Sequence, residues 1–111
     1  MSRTLSTLVL ALGLLGAVSV QAAGNAAKGE EKAKTVCAAC HGAHGESAGP
    51  DFPKLAGQPA DYLEHALKHY KGGVRRKNAI MMGMAAGLSE QEMADLAAYF
   101  SSQEAGLYTK Y

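Results

Sequence analysis

Residues 37–41 read Cys-Ala-Ala-Cys-His, and the chain holds no other cysteine. On a helical turn, side chains three apart share a face. Two thiols placed this way can each add to one vinyl group of a single haem. The histidine directly after them can then offer a ring nitrogen to the iron. C-x-x-C-H is the attachment string of c-type haem. Rival chemistries fit less well. A disulfide between Cys37 and Cys40 would close a very small loop with poor geometry inside a helix. A thioredoxin-like dithiol needs a βαβ setting, and no strand pattern is present. A zinc site needs two further ligands near the pair; His44 could supply one, but no second C-x-x-C exists.

Haem iron in electron carriers is commonly held by His and Met, and the Met raises the potential. Met81, Met82 and Met84 compete for that sixth position. His44 sits in a Gly-rich loop just after the motif, on the side of the proximal histidine. His65 and His69 lie one helical turn apart. They read as a solvated helix face, with chelation of a surface metal as the alternative.

The elements that must position these groups are helical. Gly29, Ala33, Val36, Cys37 and Cys40 fall at i, i+4, i+7, i+8 and i+11, which predicts a helix from about Ala27 to Cys40. A second helix is expected from about Pro59 to Lys71, with Pro59 at its first position and Gly72-Gly73 as its stop. Its apolar stripe is Tyr62, Leu63, Ala66, Leu67 and Tyr70. A third starts at Ser89, where Ser89 and Glu92 fit a capping box. Met93, Leu96, Ala97 and Phe100 then recur at helical spacing. Residues 41–58 and 72–88 read as long loops rich in Gly, and such loops in a small domain are usually functional or disordered.

The N-terminus reads as a secretory signal. Leu8 to Val18 is apolar apart from two Gly, too short to span a bilayer, and Val20-Gln21-Ala22 presents small residues for cleavage after Ala22. The expected organisation is a cleaved signal over residues 1–22 and one domain over 23–111. The mature 89 residues hold ten basic and ten acidic side chains; the formal +1 of the whole chain comes from Arg3. A neutral domain of this size argues against non-specific nucleic-acid binding and against barrel or dinucleotide folds. Two Phe, five Tyr and no Trp are thin material for a core. A bound macrocycle would supply the missing apolar centre, so a chain without it is expected to lack a cooperative fold.

With these strings in place, the sequence resembles the class I c-type cytochromes, specifically the small bacterial type also found as the two halves of dihaem cytochromes c. The carriers are Gly29, Cys-Ala-Ala-Cys-His-Gly at 37–42, Phe-Pro-Lys-Leu-Ala-Gly-Gln at 52–58, the Met-rich loop at 80–84, and Leu-Ser-x-x-x-Met-Ala-Asp-Leu-Ala-Ala-Tyr-Phe at 88–100. They span about residues 27–103. The resemblance implies an all-α cytochrome c fold, with three main helices and long loops around one covalently bound haem c. Cys37 and Cys40 would be its thioether links and His41 its proximal ligand. The carbonyl of Pro53 would accept the His ring hydrogen bond, with Pro50 as rival. Gly29 and Tyr99 would mark the crossing of first and last helices. Family spacing puts the sixth ligand seven residues before Leu88, at Met81, ahead of Met84 and Met82. Arg75 or Arg76 would neutralise a haem propionate.

The function so implied is a periplasmic one-electron carrier rather than an enzyme, with redox proteins as donor and acceptor, no stable membrane anchor, and a monomeric or small assembly. The alternative is a fixed cytochrome c subunit taking electrons within a dehydrogenase complex. The basic run Lys68, Lys71, Arg75, Arg76 and Lys77 could steer an acidic partner, or be a solvated loop.

Overall fold

A computed structural model describes residues 23–105. The expected signal segment, residues 1–22, and the C-terminal residues 106–111 lie outside the described residues. The described chain is all-helical: α1 (Ala26–Lys32), a π-helical turn (Ala33–Cys37), α2 (Ala38–His41), α3 (Ala60–Lys71), α4 (Ala79–Ala86) and α5 (Glu90–Ser101).

Local chemistry explains the ends of these elements. Asn25 caps α1, its side chain accepting from the backbone N–H of Lys28. Asn78 does the same for α4 through Met81 N–H. Ser89 and Glu92 close the full capping box ahead of α5, as expected. Pro59 stands one residue before its expected place, as the N-cap of α3 rather than its first residue. Gly72 ends α3, and Gly73 takes φ +74° just beyond.

Two features depart from the sequence reading. The first helix is not one regular repeat. The π turn leads directly into the C-x-x-C-H string. Such a turn inserts one residue into the helical repeat, and so rotates α2 about the helix axis relative to α1. The single apolar stripe expected there is therefore divided. Gly29 and Ala33 are buried toward α5, whereas Val36, Cys37 and Cys40 reach a cavity. The second departure is α4, a fourth main helix where residues 72–88 read as loop. Its sequence, Ala-Ile-Met-Met-Gly-Met-Ala-Ala, is apolar all round and so has no periodicity to reveal it.

The core is made where α1 crosses α5 and α3 packs on α5 and α4. It contains Ala33, Leu63, Leu88, Met93, Leu96, Ala97, Tyr99 and Phe100. The crossing of the first and last helices is close. A Cβ on Gly29 would lie 2.0 Å from the backbone oxygen of Asp95 and 2.9 Å from Tyr99 Cβ. Only glycine permits that approach. Asp95 is buried, and its Oδ1 accepts from Asn25 N–H at 2.7 Å and from Gln91 Nε2 at 2.9 Å. The chain just ahead of α1 is thereby pinned to the middle of α5. An ion pair of 2.8 Å between Lys32 and Glu92 joins the same two helices at the surface.

Candidate functional site

The loop after the C-x-x-C-H string folds back under it. Gly45 holds φ +82°, and its carbonyl accepts from Leu55 N–H at 2.8 Å and Ala56 N–H at 3.1 Å. Ser47 takes φ +76°, and its Oγ lies 2.6 Å from the carbonyl oxygens of both Gly49 and Phe52. These bonds fix the path of residues 49–53. At their end the carbonyl oxygen of Pro53 stands 2.8 Å from His41 Nδ1. A carbonyl only accepts, so Nδ1 carries the proton and Nε2 is left with its lone pair. His41 is 7 % exposed and every other histidine is more accessible.

His41 faces a cavity of about 390 Å³, inside the range of about 300–1,000 Å³ usual for cofactor sites. One side is built by Val36, Cys37, Cys40 and His41, and the floor by Leu96, Ala97 and Phe100 of α5. The apolar stripe expected on α3, Tyr62, Leu63, Ala66, Leu67 and Tyr70, lines it throughout. Met81 and Met84 of α4 complete the wall; Met82 is not part of it. Pro53 is on the lining and Pro50 is not. Among the described residues, four of the five large apolar side chains left exposed, Phe52, Tyr62, Ile80 and Met84, border this one cavity. Exposed apolar groups gathered around a concavity mark a binding site.

Both thiols are free and half-buried. Burial pushes the Cys37 thiol from its ordinary 9.0 up to about 11, with Lys32 pulling it partway back. It is therefore protonated at neutral pH, unlike the thiolates of reactive or metal-bound cysteines. The donor set of two thiols three residues apart, one imidazole with its outer nitrogen fixed, and thioethers on a separate helix fits a c-type haem.

The sequence alone leaves Arg75 and Arg76 equivalent. Arg75 lines the cavity, with its guanidinium carbon 5.7 Å from the Tyr62 ring centre and 5.5 Å from that of Tyr70. Arg76 turns away, and its Nε donates to Gly73 O. The aromatic clamp on Arg75 is invisible in the sequence because Tyr62 and Tyr70 read as members of an apolar stripe. His44, His65 and His69 are absent from the lining. His44 is exposed, with its Nδ1 3.2 Å from the Tyr99 hydroxyl, which in turn donates to Ala43 O at 2.7 Å.

The sequence profile of the cytochrome c family matches residues 26–104. The chain belongs to that family. Among its relatives, cytochrome c4 of Azotobacter vinelandii is 47 % identical over 112 residues, covering 94 % of this chain and 52 % of that one. Cytochrome c-554(548) of Halomonas halodenitrificans is 51 % identical over 84 residues, covering 74 % of this chain and 100 % of that one. The crystal structure of reduced recombinant cytochrome c4 from Pseudomonas stutzeri superposes with a TM-score of 0.67 at 48 % identity, over 74 % of this chain and 47 % of that chain. The chain thus spans about half the length of the cytochromes c4 it matches, as expected of a chain similar to one half of a two-part relative. As a cytochrome c domain with one C-x-x-C-H string, it carries one covalently bound haem c. Its fold is the expected all-α arrangement, with α4 added.

Proposed function

We propose that this cytochrome c is a periplasmic one-electron carrier that exchanges electrons between redox protein partners and has no catalytic reaction of its own. The observation that carries this reading is the meeting of His41, Met81 and the Cys37–Cys40 pair on one apolar cavity. When bound, the haem supplies one-electron exchange between its two oxidation states.

The chain's own residues hold and tune that group. Cys37 and Cys40 form the thioether links. His41 would offer Nε2 to the iron, and the bond from Nδ1 to Pro53 O fixes the ring and raises its basicity. Met81 would supply the second side-chain ligand; of the two methionines on the wall it is the less exposed. Met84 then packs against the group, a use that suits its flexible side chain. Arg75, held between Tyr62 and Tyr70, balances a propionate. The apolar wall from α3 and α5 excludes water and favours the less charged ferrous state. With His41 and Met81 both holding the group, no open site would remain for substrate or oxygen.

Export places this domain, residues 23–111, in the periplasm, with residues 1–22 as the cleaved signal. No helix among the described residues is long and apolar enough to cross a membrane. The test is a redox titration of the purified holoprotein, followed by exposure of its ferrous form to carbon monoxide. A single reversible one-electron step with no carbon monoxide complex is expected. Ready binding of carbon monoxide by the native ferrous protein would overturn the reading.

A further inference from the structure

The geometry points to a second metal site on this domain: His65 and His69 on α3, a two-imidazole clamp for a borderline divalent first-row ion of the Cu(II), Ni(II) or Zn(II) class. The pair lies outside the haem cavity. Neither ring lines it, although the neighbours Tyr62, Ala66 and Tyr70 do. Residues four apart on a helix project side by side, and α3 is regular through both positions.

The rings are close to chelating distance. Their centres are 5.6 Å apart, with planes inclined at 58°. An ion about 2.0–2.1 Å from each nitrogen, with an N–metal–N angle near 90–110°, would hold the centres roughly 4.5–5.2 Å apart. Small side-chain rotations close that gap without moving the helix. Each neutral ring offers one lone-pair nitrogen, and either tautomer can present it. His65 is exposed and His69 half-exposed, so both rings are open to solvent.

The charges of α3 balance near the pair, with Asp61 and Glu64 offsetting Lys68 and Lys71. Lys68 is tied to Glu64 at 2.7 Å. Lys71 directs its Nζ to the carbonyl of Leu88. Asp61 stands one turn before His65 and adds a negative charge on that side of the helix. No third ligand converges, since no group of three or more His, Cys, Asp or Glu gathers among the described residues. Water completes the coordination sphere. Two neutral imidazoles suit the copper–nickel–zinc end of the divalent series, with Cu(II) bound most tightly.

Ni(II) is the probe, because it is paramagnetic and does not take electrons from ferrous haem. It is titrated into the ferrous holoprotein while amide resonances are monitored. Broadening centred on residues 61–73 is expected, saturating with one ion per chain. His65→Gln or His69→Gln should each weaken binding at least about tenfold, since loss of even an outer partner of a ligand costs about 10–100-fold. The double variant should abolish the broadening, while an unchanged haem spectrum certifies its fold. Equal broadening in the double variant, or broadening centred on His44, would overturn the proposal.

Discussion

The Nδ1 of His41 and the carbonyl oxygen of Pro53 lie 2.8 Å apart, across a loop that Ser47 holds in shape. The Ser47 hydroxyl shares one proton between the carbonyls of Gly49 and Phe52, and Phe52 directly precedes Pro53. Ser47→Ala keeps the left-handed backbone strain and removes this bond together with the one the hydroxyl accepts from Gly49 N–H. It is expected to lower stability by about 1 kcal/mol and to speed solvent exchange of the His41 ring proton. Denaturant titration and ring-proton NMR of the ferrous holoprotein check both; unchanged exchange would detach the loop from the ligand.

Gly29→Ala sets two effects against each other. Alanine is the better helix former by about 1 kcal/mol. Yet its Cβ would fall 2.0 Å from the Asp95 backbone oxygen, which cannot swing aside. Forcing the helices apart costs about 1–3 kcal/mol or more, and disturbs the Asn25–Asp95 bond as well. A net loss of stability is expected in urea unfolding, and a raised midpoint would contradict the crossing.

Met81→Ala should remove the Met–iron charge-transfer band from the ferric spectrum and lower the reduction potential, because the thioether favours ferrous iron. Met84→Ala should leave the band in place. The opposite pattern would move the ligand one helical turn along α4.

The parts of the fold legible in the sequence are those with local punctuation. Gly72-Gly73 and the Ser89–Glu92 box announce the end of α3 and the start of α5, and C-x-x-C-H announces one wall of the cavity. The π turn is hidden because periodicity assumes a single repeat, and Gly29 through Cys40 satisfy it on paper. α4 is hidden because Ile80, Met81, Met82 and Met84 surround it with apolar surface, although Asn78 offers a cap. The Tyr62–Arg75–Tyr70 clamp and the buried Asp95 depend on contacts between distant segments, which no local pattern reports.

Replacing Cys37 and Cys40 by Ala is expected to leave a chain without a sharp thermal transition. The core residues Leu96, Ala97 and Phe100 themselves line the cavity, so without covalent haem the centre is a void. Calorimetry of the haem-free variant showing a cooperative peak would refute this.

Glu92 gives a pH dependence. Lys32, and then the Ser89 N–H, hold its carboxyl below the ordinary 4.5. A depressed folded value stabilises the protein above the ordinary value, and that stability is lost as pH falls through the folded one. Glu92→Gln should therefore be less stable than the parent at neutral pH, and the two should converge on acidification. Parallel urea midpoints across that range would exclude the linkage.

The crossing of α1 and α5 joins the beginning of the domain to its end, and this sets an order of events. Residues 37–41 are made long before Glu90–Ser101 exist to cover them. The burial that pushes the Cys37 thiol up to about 11 comes with packing against the core that this helix completes. The attachment string, made early, therefore lacks its packing partner until the last described helix is present. The floor of the cavity, Leu96, Ala97 and Phe100, comes from that last helix, so the cofactor site is a property of both ends of the domain together.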